Sequence, residues 1–153
     1  MAATRQAKVV WNGDLAKGSG EVSGLSSDTF SGLPVSWASR TEEPQGRTSP
    51  EELLAAAHAS CYAMALSAGL AKAGTPPQRL EVTATIRFDK VLDAWAVASS
   101  ELAVSATVPG VDEEAFTRIA QDAKDNCPIS RALKGNVSIS VTATLAERSS
   151  TRA

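Results

Sequence analysis

The chain has 153 residues, 43% hydrophobic and 21% charged, a balance that gives a folded domain a real core and argues against a disordered chain. Its net charge of -2, with basic residues scattered, offers no electrostatic footprint for nucleic acid and no Lys/Arg run for a membrane surface. Two cysteines are too few to staple a secreted domain of this length, and Met1 to Asp14 contains no apolar leader, so the expected compartment is the reducing cytoplasm.

Lys8 to Trp11 reads as an opening strand. Asn12-Gly13-Asp14 and Lys17-Gly18-Ser19-Gly20 are turn signals before a short extended segment at Glu21–Gly24. Thr29 to Trp37 reads as another strand, which Pro34 demotes to an edge or a break. Ala38 to Ser49 is polar, holds Arg40, Pro44, Gly46 and Arg47, and reads as a functional loop.

Ser49-Pro50-Glu51-Glu52 starts a helix, with Ser49 as N-cap, Pro50 at the first helical position and Glu52 completing a capping box. The helix runs to about Ala73 and stops at Gly74-Thr75-Pro76-Pro77. No acidic or basic residue occurs from Leu53 to Ala71, a length that raises the question of a membrane span. His58, Ser60, Ser67 and the alanine-rich makeup favour instead a helix buried in a core. Three alternating strands follow, with Val82, Ala84, Ile86 and Phe88 on one face, then Leu102, Val104, Ala106 and Val108, then Val137, Ile139, Val141, Ala143 and Leu145. Leu92-Asp93-Ala94 turns the first pair into a hairpin. Asp112 to Asn126 is a helix with Phe116, Ile119, Ala120 and Ala123 on one face, and Pro128 to Lys134 is a short helix closed by Gly135. The order predicts an α+β fold, a long buried central helix wrapped by an antiparallel sheet, in a single domain over residues 1–147 with a frayed tail at 148–153. One twisted sheet covers about half of such a helix, so a homodimer is expected to supply the rest.

Cys127 precedes Pro128 at the N-cap of the short helix, where about half a positive charge favours thiolate. Cys61 lies deep in the long helix, where that dipole does nothing for it. As a nucleophile it needs a cation from elsewhere, with Arg40 and Arg47 as candidates and Arg131 behind them. The plainer readings are that Cys61 is a small buried hydrophobe among alanines and Cys127 a cap of convenience. His58, three residues before Cys61, lies on the same helix face and admits a Cys–His nucleophile pair of a hydrolase or acyltransferase. A packed, hydrogen-bonded histidine is the plainer reading. One histidine and two cysteines without C-x-x-C spacing do not make a metal site, and no cofactor motif is present. Trp11, Trp37 and Trp95 read as core or interface.

The run Thr48-Ser49-Pro50-Glu51-Glu52-Leu53-Leu54-Ala55-Ala56-Ala57-His58-Ala59-Ser60-Cys61 strongly resembles the helix signature of the osmotically inducible protein C family, relatives of the organic hydroperoxide resistance proteins. Trp11-Asn12-Gly13-Asp14 with Lys17-Gly18-Ser19-Gly20 resembles the family's opening hairpin. Asn126-Cys127-Pro128-Ile129-Ser130 with Leu133-Lys134 resembles its second cysteine motif, and Val108-Pro109-Gly110-Val111 also matches. The loop from Ser39-Arg40 to Arg47 resembles the osmotically inducible branch, which carries its arginine there.

This resemblance implies an intertwined homodimer and a thiol peroxidase for organic hydroperoxides, acting more weakly on hydrogen peroxide, in oxidative or osmotic stress defence. It assigns Cys61 as the peroxidatic cysteine, Cys127 as the resolving cysteine, Arg40 as the arginine that pairs with the thiolate, and Glu51 as the carboxylate that holds that arginine. Arg47 competes with Arg40, because the loop after Arg40 carries an extra residue relative to the family pattern. No cofactor or metal is implied; an external dithiol of lipoyl or thioredoxin type is, and neither nucleic acid nor membrane. Two rivals remain on the sequence: a hydrolase or acyltransferase using Cys61 and His58, since a helix wrapped by a sheet also resembles the hot-dog fold of thioesterases, and a non-catalytic dimeric stress sensor. The ten residues between Glu51 and Cys61 span about 15 Å of helix, too far for both to reach one guanidinium. Two antiparallel helices crossing near Ala56, where small side chains permit close approach, would bring them together across a dimer.

Overall fold

The computed structural model describes residues 1–146, so the tail expected to fray at 148–153 lies outside the described residues. The chain divides into two compact units, Met1–Leu53 and a second beginning at Leu54.

In the first unit, β1 (Lys8–Asn12), β2 (Ser19–Ser23) and β3 (Leu33–Val35) form an antiparallel sheet in that order. The β1–β2 turn is closed by Asp14, whose carboxylate accepts the Lys17 N–H at 2.8 Å and whose carbonyl accepts the Gly18 N–H at 2.8 Å. The Trp11 ring lies against Gly18 and Gly20, where a Cβ would come within 2.9 and 2.8 Å of it, so only glycine fits at either position. The strand expected over Thr29–Trp37 is only three residues long. Pro34 has no N–H to give a ladder, and β3 accordingly sits at the end of the sheet order, with β2 as its one partner strand among the described residues.

The polar loop contains one turn of helix, α1 (Ala38–Thr41). Thr48 then returns to β3, bridging Val35 and donating its N–H to the Pro34 carbonyl at 2.9 Å. The buried Ser39 hydroxyl donates to the Thr48 carbonyl, also at 2.9 Å. These bonds fix where α2 (Pro50–Lys72) begins. Ser49 caps it by accepting the Glu52 N–H at 3.1 Å. The expected capping box is half formed, because the Glu52 carboxylate accepts from the Thr48 hydroxyl at 2.9 Å instead of turning back to Ser49.

The second unit holds β4 (Arg79–Val91), β5 (Ala94–Thr107), α3 (Glu113–Asn126), α4 (Pro128–Leu133) and β6 (Ser138–Leu145), with the sheet ordered β4-β5-β6. Among the described residues there are thus two sheets of three strands where one wrapping sheet was expected. The second is mixed: β4 and β5 are an antiparallel hairpin, but β6 runs parallel to β5, from Ser99 opposite Ser138 to Ala106 opposite Leu145. The connection decides this. Passage through α3 and α4 carries the chain back over the sheet, so that β6 leaves in the direction of β5.

Tyr62, Leu66 and Leu70, spaced four apart on α2, pack with Leu102, Val104 and Ala106 of β5 and with Phe116, Ala120 and Ala123 of α3 into one core. The Tyr62 hydroxyl donates to the Ala120 carbonyl at 2.9 Å, which satisfies the polar end of a fully buried ring. The same spacing leaves Ala56, Ala57, Ser60, Met64 and Ala68 exposed on the other side of the helix. α2 is long and apolar enough to cross a membrane, but its large side chains build this core instead.

Leu92 and Asp93 make the β4–β5 turn with φ of +50 and +63, the left-handed geometry of a two-residue hairpin. Leucine is poorly suited to that backbone, and Leu92 is almost completely exposed. Leu92→Asn is expected to raise stability by about 0.5–1 kcal/mol, read as a higher denaturant midpoint with unchanged slope.

Candidate functional site

Two clusters of chemically capable side chains stand out. The first lies within Met1–Leu53. The Thr48 return described above sets the first turn of α2 beside α1, and Glu51 there meets Arg40 in a forked ion pair. Arg40 Nε donates to Oε1 at 2.9 Å and to Oε2 at 3.2 Å, and Nη2 donates to Oε1 at 2.8 Å. The Glu51 side chain is 9% exposed and that of Arg40 29%. The guanidinium also lies 5.8 Å from the centre of the Trp37 ring, three residues earlier in the chain. A two-point fork and an aromatic plane fix the orientation of the group, which lysine could not reproduce. Arg47 stands apart from this pair, exposed on a turn in which its N–H donates to the Pro44 carbonyl at 3.0 Å.

The second cluster lies within the unit beginning at Leu54. Cys61 and Cys127 are both free thiols, and they are close enough for the Cys127 thiol to influence the titration of Cys61. Cys127 ends α3 and begins α4, and it is fully buried. Cys61 is partly exposed and opens into a groove of about 660 Å³ lined by Met64, Ala65, Ala68, Gly69 and Ile119 among others. Burial pushes the Cys61 thiol up from its ordinary range. The backbone of Ile129, in the first turn of α4, hydrogen-bonds the sulfur and pulls the other way, while the neighbouring Cys127 thiol adds to the rise. On balance the surroundings disfavour a thiolate, and among the described residues no cation acts to lower the Cys61 pKa.

His58 does not serve Cys61 as a base. It is fully buried, and both ring nitrogens are engaged: Nδ1 with the Ser100 hydroxyl at 2.7 Å and Nε2 with the Ser130 hydroxyl at 2.8 Å. Serine hydroxyls both donate and accept, so a neutral imidazole is satisfied in either tautomer. The Cys–His pair of a hydrolase is therefore not assembled. Of the residues proposed from the sequence, the structure joins Arg40 with Glu51 and Cys61 with Cys127. Trp37, Ser100, Ser130 and the Ile129 backbone were not foreseen as part of either cluster. A signal existed for two of them: Trp37 is one helical turn before Arg40, and Ser130 one turn after Cys127.

Burial also lowers the pKa of His58 from its ordinary 6.5. Above pH 6.5 the imidazole is neutral in both states; below it the unfolded chain takes up a proton that the fold resists, so stability falls with pH until the lower folded value is reached. Thermal or denaturant unfolding between pH 7.5 and 5 is expected to show stability falling by up to about 1.4 kcal/mol per pH unit below 6.5. The same measurement on His58→Gln should lose this component of the slope.

Comparison with known proteins gives a consistent picture. The family model described as OsmC-like protein matches residues 43–142. Peroxiredoxin OsmC of Escherichia coli K12 is 37% identical over 139 residues, which cover 91% of this chain and 96% of that protein. Organic hydroperoxide resistance protein-like 1 of Staphylococcus epidermidis is 34% identical over 101 residues, covering 65% of this chain and 71% of its own. Among solved structures, the organic hydroperoxide resistance protein OhrB of Bacillus subtilis superposes with a TM-score of 0.70 at 22% identity, over 92% of this chain and 98% of its own. An OsmC-like protein from Mycoplasma pneumoniae gives 0.73 at 16% identity, over 96% and 100%. Both structures share the α+β fold.

Proposed function

This chain belongs to the OsmC-like protein family, and on that premise we propose that it is a thiol-dependent peroxidase reducing organic hydroperoxides to alcohols. The observation that carries the reading is the pair of free thiols, one open to an apolar groove and the other buried against it. The Cys61 thiolate attacks the distal oxygen of the hydroperoxide, forming a sulfenic acid and an alkoxide that takes up a proton to leave as the alcohol. The Cys127 thiol condenses with the sulfenic acid, releasing water and forming the Cys61–Cys127 disulfide. An external dithiol reduces that disulfide by exchange, itself becoming the disulfide. The apolar part of the groove, Met64, Ala65, Ala68 and Ile119, gives the alkyl tail of an organic hydroperoxide a surface to pack on, beside the polar Lys72, Asp122 and Asn126. In this scheme the protein works in the soluble, reducing cytoplasm, with a lipoyl-type or thioredoxin-type dithiol as its reductant.

Arg40 supplies the missing cation. It lowers the thiol pKa and stabilises the developing alkoxide, while Glu51 fixes its fork. α2 separates Glu51 from Cys61 by ten residues, about 15 Å of helical rise, so we assign the completed site to a homodimer in which Arg40 and Glu51 of one chain serve Cys61 of the other. The exposed small residues of α2, Ala56, Ala57 and Ser60, are what permit two such helices to cross closely.

The function is tested by turnover of cumene hydroperoxide with a dithiol. Cys61→Ser is expected to abolish it, and Cys127→Ser to allow one turnover followed by over-oxidation at Cys61. Continued turnover by Cys61→Ser would remove Cys61 from the reaction. The cross-chain arrangement is tested by mixing Glu51→Ala chains with Cys61→Ser chains. Each is inactive alone, and the heterodimer should regain one intact site. Heterodimers that form but stay inactive would place the site within one chain.

A further inference from the structure

One buried group near the two thiols takes no part in the chemistry described above. His58 sits one turn before Cys61 on α2, and Ser130 sits one turn after Cys127 on α4. Their bond, Nε2 to the Ser130 hydroxyl at 2.8 Å, ties the helix that carries Cys61 to the one that begins at Cys127, with the same three-residue offset from each cysteine. Ile129, whose backbone hydrogen-bonds Cys61, lies next to Ser130. The far side of the imidazole is anchored by Nδ1 to Ser100 on β5, at 2.7 Å. His58 and Ser130 are fully or almost fully buried, so neither water nor another side chain replaces the bond if one end is removed.

Alongside the packing of Cys127 and Ile129 on the core, this bond is a polar tie between α4 and α2. α4 has six residues, its N-cap makes no side-chain hydrogen bond, and no cap stabilises it from Cys127 itself. A helix so short is not stable by its own propensity and holds its place through tertiary contacts.

We propose that His58 and Ser130 are positioning residues that latch α4 to α2, holding the Cys127 thiol against Cys61 so that the sulfenic acid is captured as a disulfide before a second hydroperoxide oxidises it. This rests on the assignment of Cys127 as the resolving thiol. The two fates of the intermediate compete. Cys61 sulfenic acid and the Cys127 thiol give the disulfide and water, whereas sulfenic acid and a second hydroperoxide give sulfinic acid and a second alcohol. The first is intramolecular, and its rate depends on how well the second sulfur is placed. The second is bimolecular and indifferent to α4. Loosening the latch therefore shifts the partition toward the irreversible product.

The test measures, by mass spectrometry of Cys61, the sulfinic acid formed per turnover at fixed cumene hydroperoxide and dithiol. Ser130→Ala is expected to raise it by roughly fivefold or more, and Ser130→Thr, which restores the hydroxyl, to return it to within about twofold of the parent. Leu66→Val, which loosens the core of the same helix away from the latch, serves as the comparison for a general loss of stability and should partition as the parent does. A parent-like partition in Ser130→Ala, failure of Ser130→Thr to rescue, or an equal rise in Leu66→Val would overturn the latch. A parent protein that forms no Cys61–Cys127 disulfide would instead overturn the resolving role of Cys127, and the latch with it.

Discussion

In the proposed reaction, a helix with no charged side chain from Leu53 to Ala71 carries a sulfur that must react as an anion. Burial works against that anion, and the middle of a helix offers it no dipole. The remaining features around the sulfur are intelligible as responses to this conflict. The apolar helix is needed, because Tyr62, Leu66 and Leu70 build the core that holds β5 and α3. The charge must then come from a different part of the chain, and it must arrive already oriented, since a freely rotating cation would spend much of its interaction energy on ordering itself.

The first unit does that orienting. Its sheet is small and its strands are short, but Thr48, pinned to Pro34 and to Ser39, brings the start of α2 beside α1. The result is a guanidinium held by a two-point fork and an aromatic ring rather than left on a loop. A carboxylate on arginine partly offsets its charge, so in the proposed reaction the contribution of Glu51 is geometric more than electrostatic. The polar loop is therefore a scaffold whose hydroxyls and carbonyls serve one side chain.

The second unit solves a different problem, which is to keep two thiols adjacent in a core. α3 and α4 meet at Cys127, and the chain passes from one helix to the other without leaving the buried region. A neutral imidazole suits the adjoining position, because it can satisfy two hydroxyls at once while adding no charge that would compete with the reaction. The lowered pKa of His58 follows from the same burial and keeps it uncharged at neutral pH.

The sequence by itself determined the local elements. Period-two alternation placed the strands of the second sheet, the Ser49-Pro50 start and Gly74-Thr75-Pro76 stop bounded α2, and Asp112 and Gly135 marked the ends of the helical segment between β5 and β6. Both cysteines, Arg40 and Glu51 were legible because motif resemblance depends on residue type and spacing, which the chain displays directly. Pairing direction, the division into two sheets and the length of β3 were not legible, since they depend on which edge receives which strand and on a proline with no N–H to offer. The choice between Arg40 and Arg47 as the partner of Glu51 turned on where Thr48 docks, a contact between residues distant in sequence. The same holds for His58: a lone histidine beside a cysteine admits a base next to the plainer reading of packing. Only the tertiary structure, by setting Ser100 and Ser130 on its two nitrogens, decided which it is.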